Sequence, residues 1–284
     1  MIVALNTSDW TPERRVPPVL MTTSTTGRPL ALVTGASSGI GRELARQFTE
    51  NGFDLVVCAE DEQVETAAAE LRASGADVRA VRADLRTAEG VQVLHEAVDR
   101  PLDAAALNAG VGRGGAFLDT DIDDEVEIID LNVTSTVRLA KLVLRDMAAR
   151  GQGRVLVTSS IASTMPGAYQ AVYNASKSFL QSFSEAVAEE LRDTGVTVTS
   201  LMPGPTETEF FHRADLDDTK MGAASKDDPA QVAKQGFDAL MSGERKVVAG
   251  SLSTKASAAA NAVLPDAVKG RMHRSMAEPG SGEE

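Results

Sequence analysis

The sequence predicts a single doubly wound α/β domain built on a parallel sheet of about seven strands. Three observations lead there: short apolar runs alternate with helical patterns, no hairpin turn joins successive runs, and the runs lack polar alternation. Strands separated by helices require right-handed crossovers, which make a sheet parallel. Strands that are apolar on both faces require helices on both faces. At 284 residues the chain holds one such domain of roughly 250 residues.

The elements follow in order. Leu30–Thr34 is a buried-strand run, followed by a glycine-punctuated turn and a helix through about Asn51. Asp54–Ala59 is the second strand, with a helix over 63–74, and residues 78–83 are the third, with a helix over 87–99. Residues 104–108 form the fourth strand, and a long helical pattern covers 123–149. The fifth strand spans 155–159 and precedes a helix at 173–193, and the last two fall at 196–202 and Lys246–Ala249. The arrangement is Rossmann-type over residues 29–250, and such sheets bind ligands beyond the carboxyl ends of their strands. A Thr-, Ser- and Pro-rich flexible leader is expected at 1–28, with Met21 as an alternative start, and a helical extension broken at Pro265 at 251–284.

Composition narrows the function classes. Acidic residues outnumber basic ones by 41 to 28, for a formal charge of -13. Such a chain repels phosphates at long range, which argues against nucleic-acid and anionic-membrane partners. Cys58 is the lone cysteine, so no intrachain disulfide forms, and it reads as a small buried hydrophobe. No apolar stretch approaches the roughly 20 residues that cross a bilayer. The leader lacks the basic start and apolar segment of a secretion signal, so the expected location is the cytoplasm.

Thr34-Gly35-Ala36-Ser37-Ser38-Gly39-Ile40-Gly41 lies between the first strand and the first helix. Gly35 permits a tight turn, Gly39 lets the backbone approach a bound group, and Gly41 permits close helix packing. The helix start then offers free N–H groups to a pyrophosphate. With its G-x3-G-x-G spacing the string resembles the cofactor motif of the compact short-chain dehydrogenase/reductase family, and the resemblance runs from about Leu30 to Thr208. It takes in Asp84-Leu85 after the third strand, which the family places near the adenine ring. It also takes in Asn108-Ala109-Gly110 after the fourth, where the family stabilises the sheet and borders the cofactor. After the sixth strand, Pro203-Gly204-Pro205-Thr206-Glu207-Thr208 stands where the family borders the nicotinamide carboxamide, which implies contacts from Pro203, Gly204, Thr206 and Thr208.

The choice between NAD and NADP is made mainly at the end of the second strand, where an acid accepts hydrogen bonds from the ribose 2′-OH and a 2′-phosphate wants Arg or Lys. The chain reads Cys58-Ala59-Glu60-Asp61, and the glycine turn offers Ser37 and Ser38 in place of a basic residue. Two carboxylates repel a dianionic phosphate, so NAD(H) is favoured over NADP(H). The Asp that NAD enzymes of the family prefer falls at Ala59, and Arg42 compensates if it turns back, so the pattern is imperfect.

Tyr173-Asn174-Ala175-Ser176-Lys177 opens a helix, and the four-residue spacing puts Tyr173 and Lys177 on one face. Ser160, at the end of the fifth strand, and Asn132, within the 123–149 pattern, stand at the intervals the family requires. Asparagine is a poor helix-interior residue, so Asn132 calls for an explanation. Hydride transfer to a ketone leaves an oxyanion that must be stabilised and protonated. Tyr173 donates that proton and Ser160 a second hydrogen bond. The Lys177 ammonium and the positive nicotinamide ring lower the phenol toward neutral, a shift of about three units or roughly 4 kcal/mol. The resemblance implies that Lys177 also binds the nicotinamide ribose and that Asn132 positions a water. No metal is expected, and His95, His212 and His273 read as solvated or core residues.

A substrate lid is expected at 205–228, with Phe210, Phe211, His212 and Met221 supplying apolar contact and Ile161, Ala162, Met165 and Gln170 nearby. The expected partner is a small, moderately apolar alcohol or carbonyl compound. The resemblance further implies a homodimer or homotetramer joined through the helices at 123–149 and 173–193. Two other functions compete. A catalytically silent NAD(P)-binding regulator or scaffold has no need of the complete set of Asn132, Ser160, Tyr173 and Lys177. A sugar-nucleotide epimerase or dehydratase carries a larger C-terminal domain and a differently spaced glycine turn.

Overall fold

The computed structural model describes residues 27–283. The leader read at 1–28 therefore lies, apart from its last two residues, outside the described residues. Seven strands, β1 (Leu30–Thr34), β2 (Asp54–Ala59), β3 (Val78–Arg82), β4 (Ala104–Leu107), β5 (Gly153–Thr158), β6 (Val196–Pro203) and β7 (Lys246–Ala249), form one sheet in the order β3-β2-β1-β4-β5-β6-β7. Every pairing is parallel. The helices in chain order are α1 (Gly39–Glu50), α2 (Gln63–Arg72), α3 (Ala88–Glu96), α4 (Ile122–Ile128), α5 (Thr136–Arg150), α6 (Ala171–Glu190), α7 (Phe210–Arg213), α8 (Lys220–Ala223), α9 (Pro229–Ser242), α10 (Leu252–Val263) and α11 (Asp266–Ala277).

Residues of a strand point alternately to the two faces of its sheet, and β1 divides accordingly. Ala31 and Val33 join a core with Leu44 and Phe48 of α1, Leu71 of α2 and Phe237 of α9. Leu30 and Leu32 join the opposite core with Leu94 of α3, Val143 and Met147 of α5 and Leu180 of α6. Phe48 meets Phe53 and Phe237 edge to face, with ring centroids 5.2 and 5.1 Å away, a preferred aromatic geometry. Cys58 is buried in β2, where burial pushes its thiol up to about 12, as befits a packing residue. The sheet order reverses at β1, which neighbours both β2 and β4, and the crevice for a ligand opens at that point. None of the described helices is long and apolar enough to cross a membrane.

One departure from the sequence reading matters for the site. The helical pattern at 123–149 is not one α-helix: α4 and α5 flank a π-helical stretch, Ile129–Ser135, that contains Asn132. Widened turns of this kind concentrate at functional sites, and here the turn carries the residue whose helical position looked unfavourable. The segment 205–228, expected to form a lid, is closed at its base by a parallel bridge between Thr206 and Asp227 and carries the single-turn helices α7 and α8. The C-terminal extension lies against the loop after β5 and against the lid. Lys269 Nζ donates to the Thr164 carbonyl at 2.8 Å, Tyr169 donates to Glu278 Oε1 at 2.9 Å, and the Gly282 N–H donates to the Asp218 carbonyl at 2.7 Å.

Candidate active site

The turn between β1 and α1 is shaped by what cannot fit in it. Gly35 and Gly39 have φ of +66° and +55°, a region costly for residues with a Cβ. A Cβ on Gly41 would lie 2.0 Å from the Gly35 carbonyl oxygen, and one on Gly39 would lie 2.9 Å from Thr208 Cγ2. The backbone therefore presses directly against the loop after β6. Ser38, the residue capping α1, makes no side-chain cap, and the first turn carries no acid. Its N–H groups and the positive end of the helix dipole are left to face an anion. Asn108 ties three strand ends together: Nδ2 donates to the Thr34 carbonyl at 3.2 Å, and Oδ1 accepts from Thr158 at 3.0 Å.

Beyond the carboxyl ends of β2 and β3, Arg86 binds the carboxylates of Glu60 at 2.7 Å, Asp84 at 2.8 Å and Glu127. The guanidinium holds the Asp84 carboxyl below its ordinary range. Arg82 Nε donates to the Glu60 carbonyl at 2.9 Å, and Asp61 accepts from the Ser37 hydroxyl at 3.0 Å. Arg42 does not turn back toward this corner but pairs with Glu70 on α2. Sequence reasoning missed Arg86, whose partners lie as far as 41 residues away.

At the opposite end of the cleft, Tyr173 and Lys177 stand one turn apart on α6, with Lys177 Nζ 5.8 Å from the phenol ring centroid. Lys177 donates to the Thr158 carbonyl at 3.0 Å, and burial holds its amine down to about 8. Burial pushes the Tyr173 hydroxyl up to about 12, and a hydrogen bond with the Ser160 hydroxyl pulls the other way. The environment by itself thus favours the protonated phenol rather than the lowered one expected from Lys177. Ser160 also accepts from the Ala162 N–H at 3.1 Å, which fixes its side chain. Asn132 is wholly buried: Oδ1 accepts from the Val111 N–H, and Nδ2 donates to the Val111 carbonyl and to Ser176, each at 2.9 Å. Its side chain is thereby a brace between the π-helical turn, the loop after β4 and α6. A Cβ on Gly110 would come within 2.9 Å of Asn132 Oδ1 and 3.3 Å of Lys177 Nζ, so both side chains crowd that glycine.

All the named cofactor positions border one cleft of about 320 Å³, in the range of small-molecule sites: Gly35, Ser37, Ser38, Gly39, Ile40, Gly41, Glu60, Asp84, Leu85, Asn108, Ala109, Gly110, Pro203, Gly204, Thr206 and Thr208, together with the catalytic candidates Ser160, Tyr173 and Lys177 but not Asn132. The far end of the cleft, beyond Tyr173, is walled by Met165, Gln170, Phe210, Phe211, Met221 and His273. Phe210 lies 5.1 Å from the Tyr173 ring, and Gly112 fits between them: a Cβ there would lie 2.6 Å from Phe210 Cζ and 3.2 Å from Tyr173 Cδ2. His212, expected to meet the substrate, instead is exposed and pairs with Asp217 at 2.7 Å. His273, read as a solvated or core histidine, borders the cleft from α11, and no local motif announced it. Among the described residues no group of three or more His, Cys, Asp or Glu is arranged to hold a metal ion.

The glycine cradle, the uncapped helix start and the committed strand ends fit a dinucleotide, and comparison with known proteins agrees. The sequence pattern of the family described as short chain dehydrogenase matches residues 29–219. The 3-oxoacyl-acyl-carrier-protein reductase FabG of Escherichia coli is 34% identical over 194 residues, spanning 68% of this chain and 79% of the relative. The oxidoreductase UcpA of Salmonella typhimurium is 32% identical over 208 residues, 71% of this chain and 76% of the relative. A short-chain dehydrogenase from Sphingobium yanoikuyae, solved in complex with NADPH, superposes with a TM-score of 0.73 at 28% identity, covering 82% of this chain and 93% of the other.

Proposed function

The chain belongs to the short-chain dehydrogenase/reductase family and is an NAD(P)-dependent oxidoreductase, and from that premise we propose that it interconverts a secondary alcohol and its carbonyl, with Tyr173 as the proton-transfer residue. One observation carries the reading: Ser160, Tyr173 and Lys177 share a single cleft with the glycine turn. Gly35 and Ser37 to Gly41 would hold the pyrophosphate, Asp84 and Leu85 the adenine, and Asn108 to Gly110, Pro203, Gly204, Thr206 and Thr208 the nicotinamide half. Bound there, the dinucleotide supplies or accepts the hydride.

The protein's own residues handle the proton. Ser160 donates a hydrogen bond to the carbonyl oxygen, and Tyr173 gives that oxygen its proton as negative charge develops. A phenol held near 12 carries its proton at neutral pH, the form that reduction requires. In the oxidative direction the phenolate needs opposite charge beside it, which the Lys177 ammonium supplies. Asn132 braces the loop after β4, and through Gly110 keeps that loop against Lys177.

We read the cofactor as NAD(H). Glu60 stands at the end of β2, and three carboxylates share the single guanidinium of Arg86, so the corner stays acidic and disfavours a 2′-phosphate. We read the assembly as a cytoplasmic homodimer or homotetramer. Ile122, Val126 and Ile129, 66%, 42% and 43% exposed, form a stripe along α4 and the turn after it, an apolar face that a second copy would cover. A monomeric mass in sedimentation would sink that part.

The deciding experiment measures reduction of a panel of ketones with NADH and with NADPH, beside calorimetric titration of both cofactors. Tyr173→Phe is expected to lose turnover at least about a thousandfold while its affinity for NADH changes little. Retained turnover refutes the assigned role, and tighter binding of NADPH refutes the cofactor assignment.

A further inference from the structure

The substrate end of the cleft contains two polar side chains that the hydride chemistry does not use. Gln170 is 4% exposed, borders the cleft, and has a carboxamide nitrogen with no hydrogen-bond partner. His273 reaches the same cleft from α11 and is equally buried. Its Nδ1 lies 2.9 Å from the Ala168 carbonyl, two residues before Gln170. A carbonyl oxygen only accepts, so Nδ1 carries the ring hydrogen and Nε2 of the neutral ring is a bare acceptor. No group among the described residues donates to that nitrogen. Burial keeps the ring neutral. Of the charges from the C-terminal segment, Lys269 is engaged with Thr164 and Asp266, Glu278 with Tyr169, and Arg274 lies over the Tyr169 ring, while Glu209 and Arg213 also border the cleft.

One unused donor and one unused acceptor therefore stand on residues that border a pocket lined also by Met165, Phe211, Met221, Glu209 and Arg213. We propose that Gln170 and His273 recognise a hydroxyl group of the substrate, distinct from the reacting oxygen, so that the preferred substrates are hydroxyketones and the corresponding diols. The inference rests on the reading of Tyr173 as the reacting centre. A hydroxyl donates to Nε2 and accepts from the Gln170 amide. A second carbonyl or a carboxylate only accepts and leaves Nε2 unmatched, and a methylene leaves both groups unmatched. Sites built to pair a hydroxyl reject the analogue that lacks it far more strongly than apolar pockets reject a size change.

The test compares hydroxyalkanones, with the hydroxyl two to five carbons beyond the carbonyl, against their deoxy counterparts and the matching keto acids. At least one hydroxyketone is expected to exceed its deoxy counterpart by about a hundredfold in kcat/KM. His273→Phe and Gln170→Met are each expected to cut that ratio to below about fivefold, with NADH titration confirming that each variant is folded. Independently of turnover, Tyr173→Phe with NADH present should bind the hydroxyketone more tightly than the deoxy ketone by calorimetry. Three results overturn the inference while leaving the proposed reaction in place: deoxy ketones reduced as well as hydroxyketones, keto acids preferred, or a ratio unmoved in both variants. Failure of the wild-type protein to reduce any ketone with either cofactor overturns the proposed reaction, and this inference with it.

Discussion

Around the glycine turn the wall of the cleft is backbone, whereas past Tyr173 it is side chains. Around the β1–α1 turn, Gly35 and Gly41 bring main chain to main chain, and a bound group would face N–H groups rather than substituents. Past Tyr173 the surface belongs to Met165, Phe210, Phe211, Met221 and His273, contributed by a loop, a lid and a helix distant in sequence. A backbone wall accepts only a residue without a Cβ, so its pattern is narrow. A side-chain wall can be rebuilt in many ways, and substrate choice is free to vary there without disturbing the cradle.

The contrast can be broken most decisively at Gly41. Alanine there would set a Cβ 2.0 Å from the Gly35 carbonyl oxygen and 2.6 Å from Asn108 Nδ2, and backbone cannot yield as a side chain can. Gly41→Ala is expected to weaken NADH binding more than about a hundredfold and to lower the melting midpoint; near-normal binding would show that the cradle is softer than its geometry.

Lys177, at the junction of the halves, tests the cost of the chemistry. Its amine falls from an ordinary 10.5 to about 8 on burial. Between those values the unfolded chain keeps a proton that the folded chain has released, so stability rises with pH across that window. Lys177→Met should remove that slope and add roughly 3 kcal/mol of stability at pH 7, while turnover is lost. Urea unfolding at pH 7 and at pH 9.5 reads both, and a destabilised variant would contradict the sign.

In the substrate half, Gly112→Ala should crowd Phe210 and Tyr173, lowering kcat/KM about tenfold with NADH affinity unchanged, because a phenyl ring can shift where a carbonyl cannot. An equal loss in cofactor binding would erase the distinction between the halves. The smallest effect belongs to Glu60→Gln, which removes one of the three acids on Arg86 and should shift selectivity toward NADPH about fivefold in paired titrations, or about 1 kcal/mol. No shift would mean that Glu60 is already neutralised by its partner.

The same division explains what was legible in the sequence. The strand runs, the glycine turn and the Tyr173–Lys177 spacing are local, and each was readable from a short window. The π-helical turn was not, and the residue it carries, Asn132, bonds Val111 and Ser176, 21 and 44 residues away. Arg86 escaped notice for a similar reason, since its meeting with Glu60 and Glu127 depends on how β2, β3 and α4 converge. The upward push on Tyr173 was missed because spacing reports which charge stands nearby but not how much water has been removed. His273 had no signal at all: its part in the pocket follows from a hydrogen bond spanning 105 residues.

That span has a consequence for the order of assembly. Synthesis proceeds from the amino terminus, and the glycine turn, Ser160, Tyr173 and Lys177 all leave the ribosome before α11. The three ties from Lys269, His273 and Glu278 to residues 164–169 can therefore form only after every other part of the cleft has been synthesised. On the proposed reading, selectivity thus depends on bonds that exist only once α11 has been made.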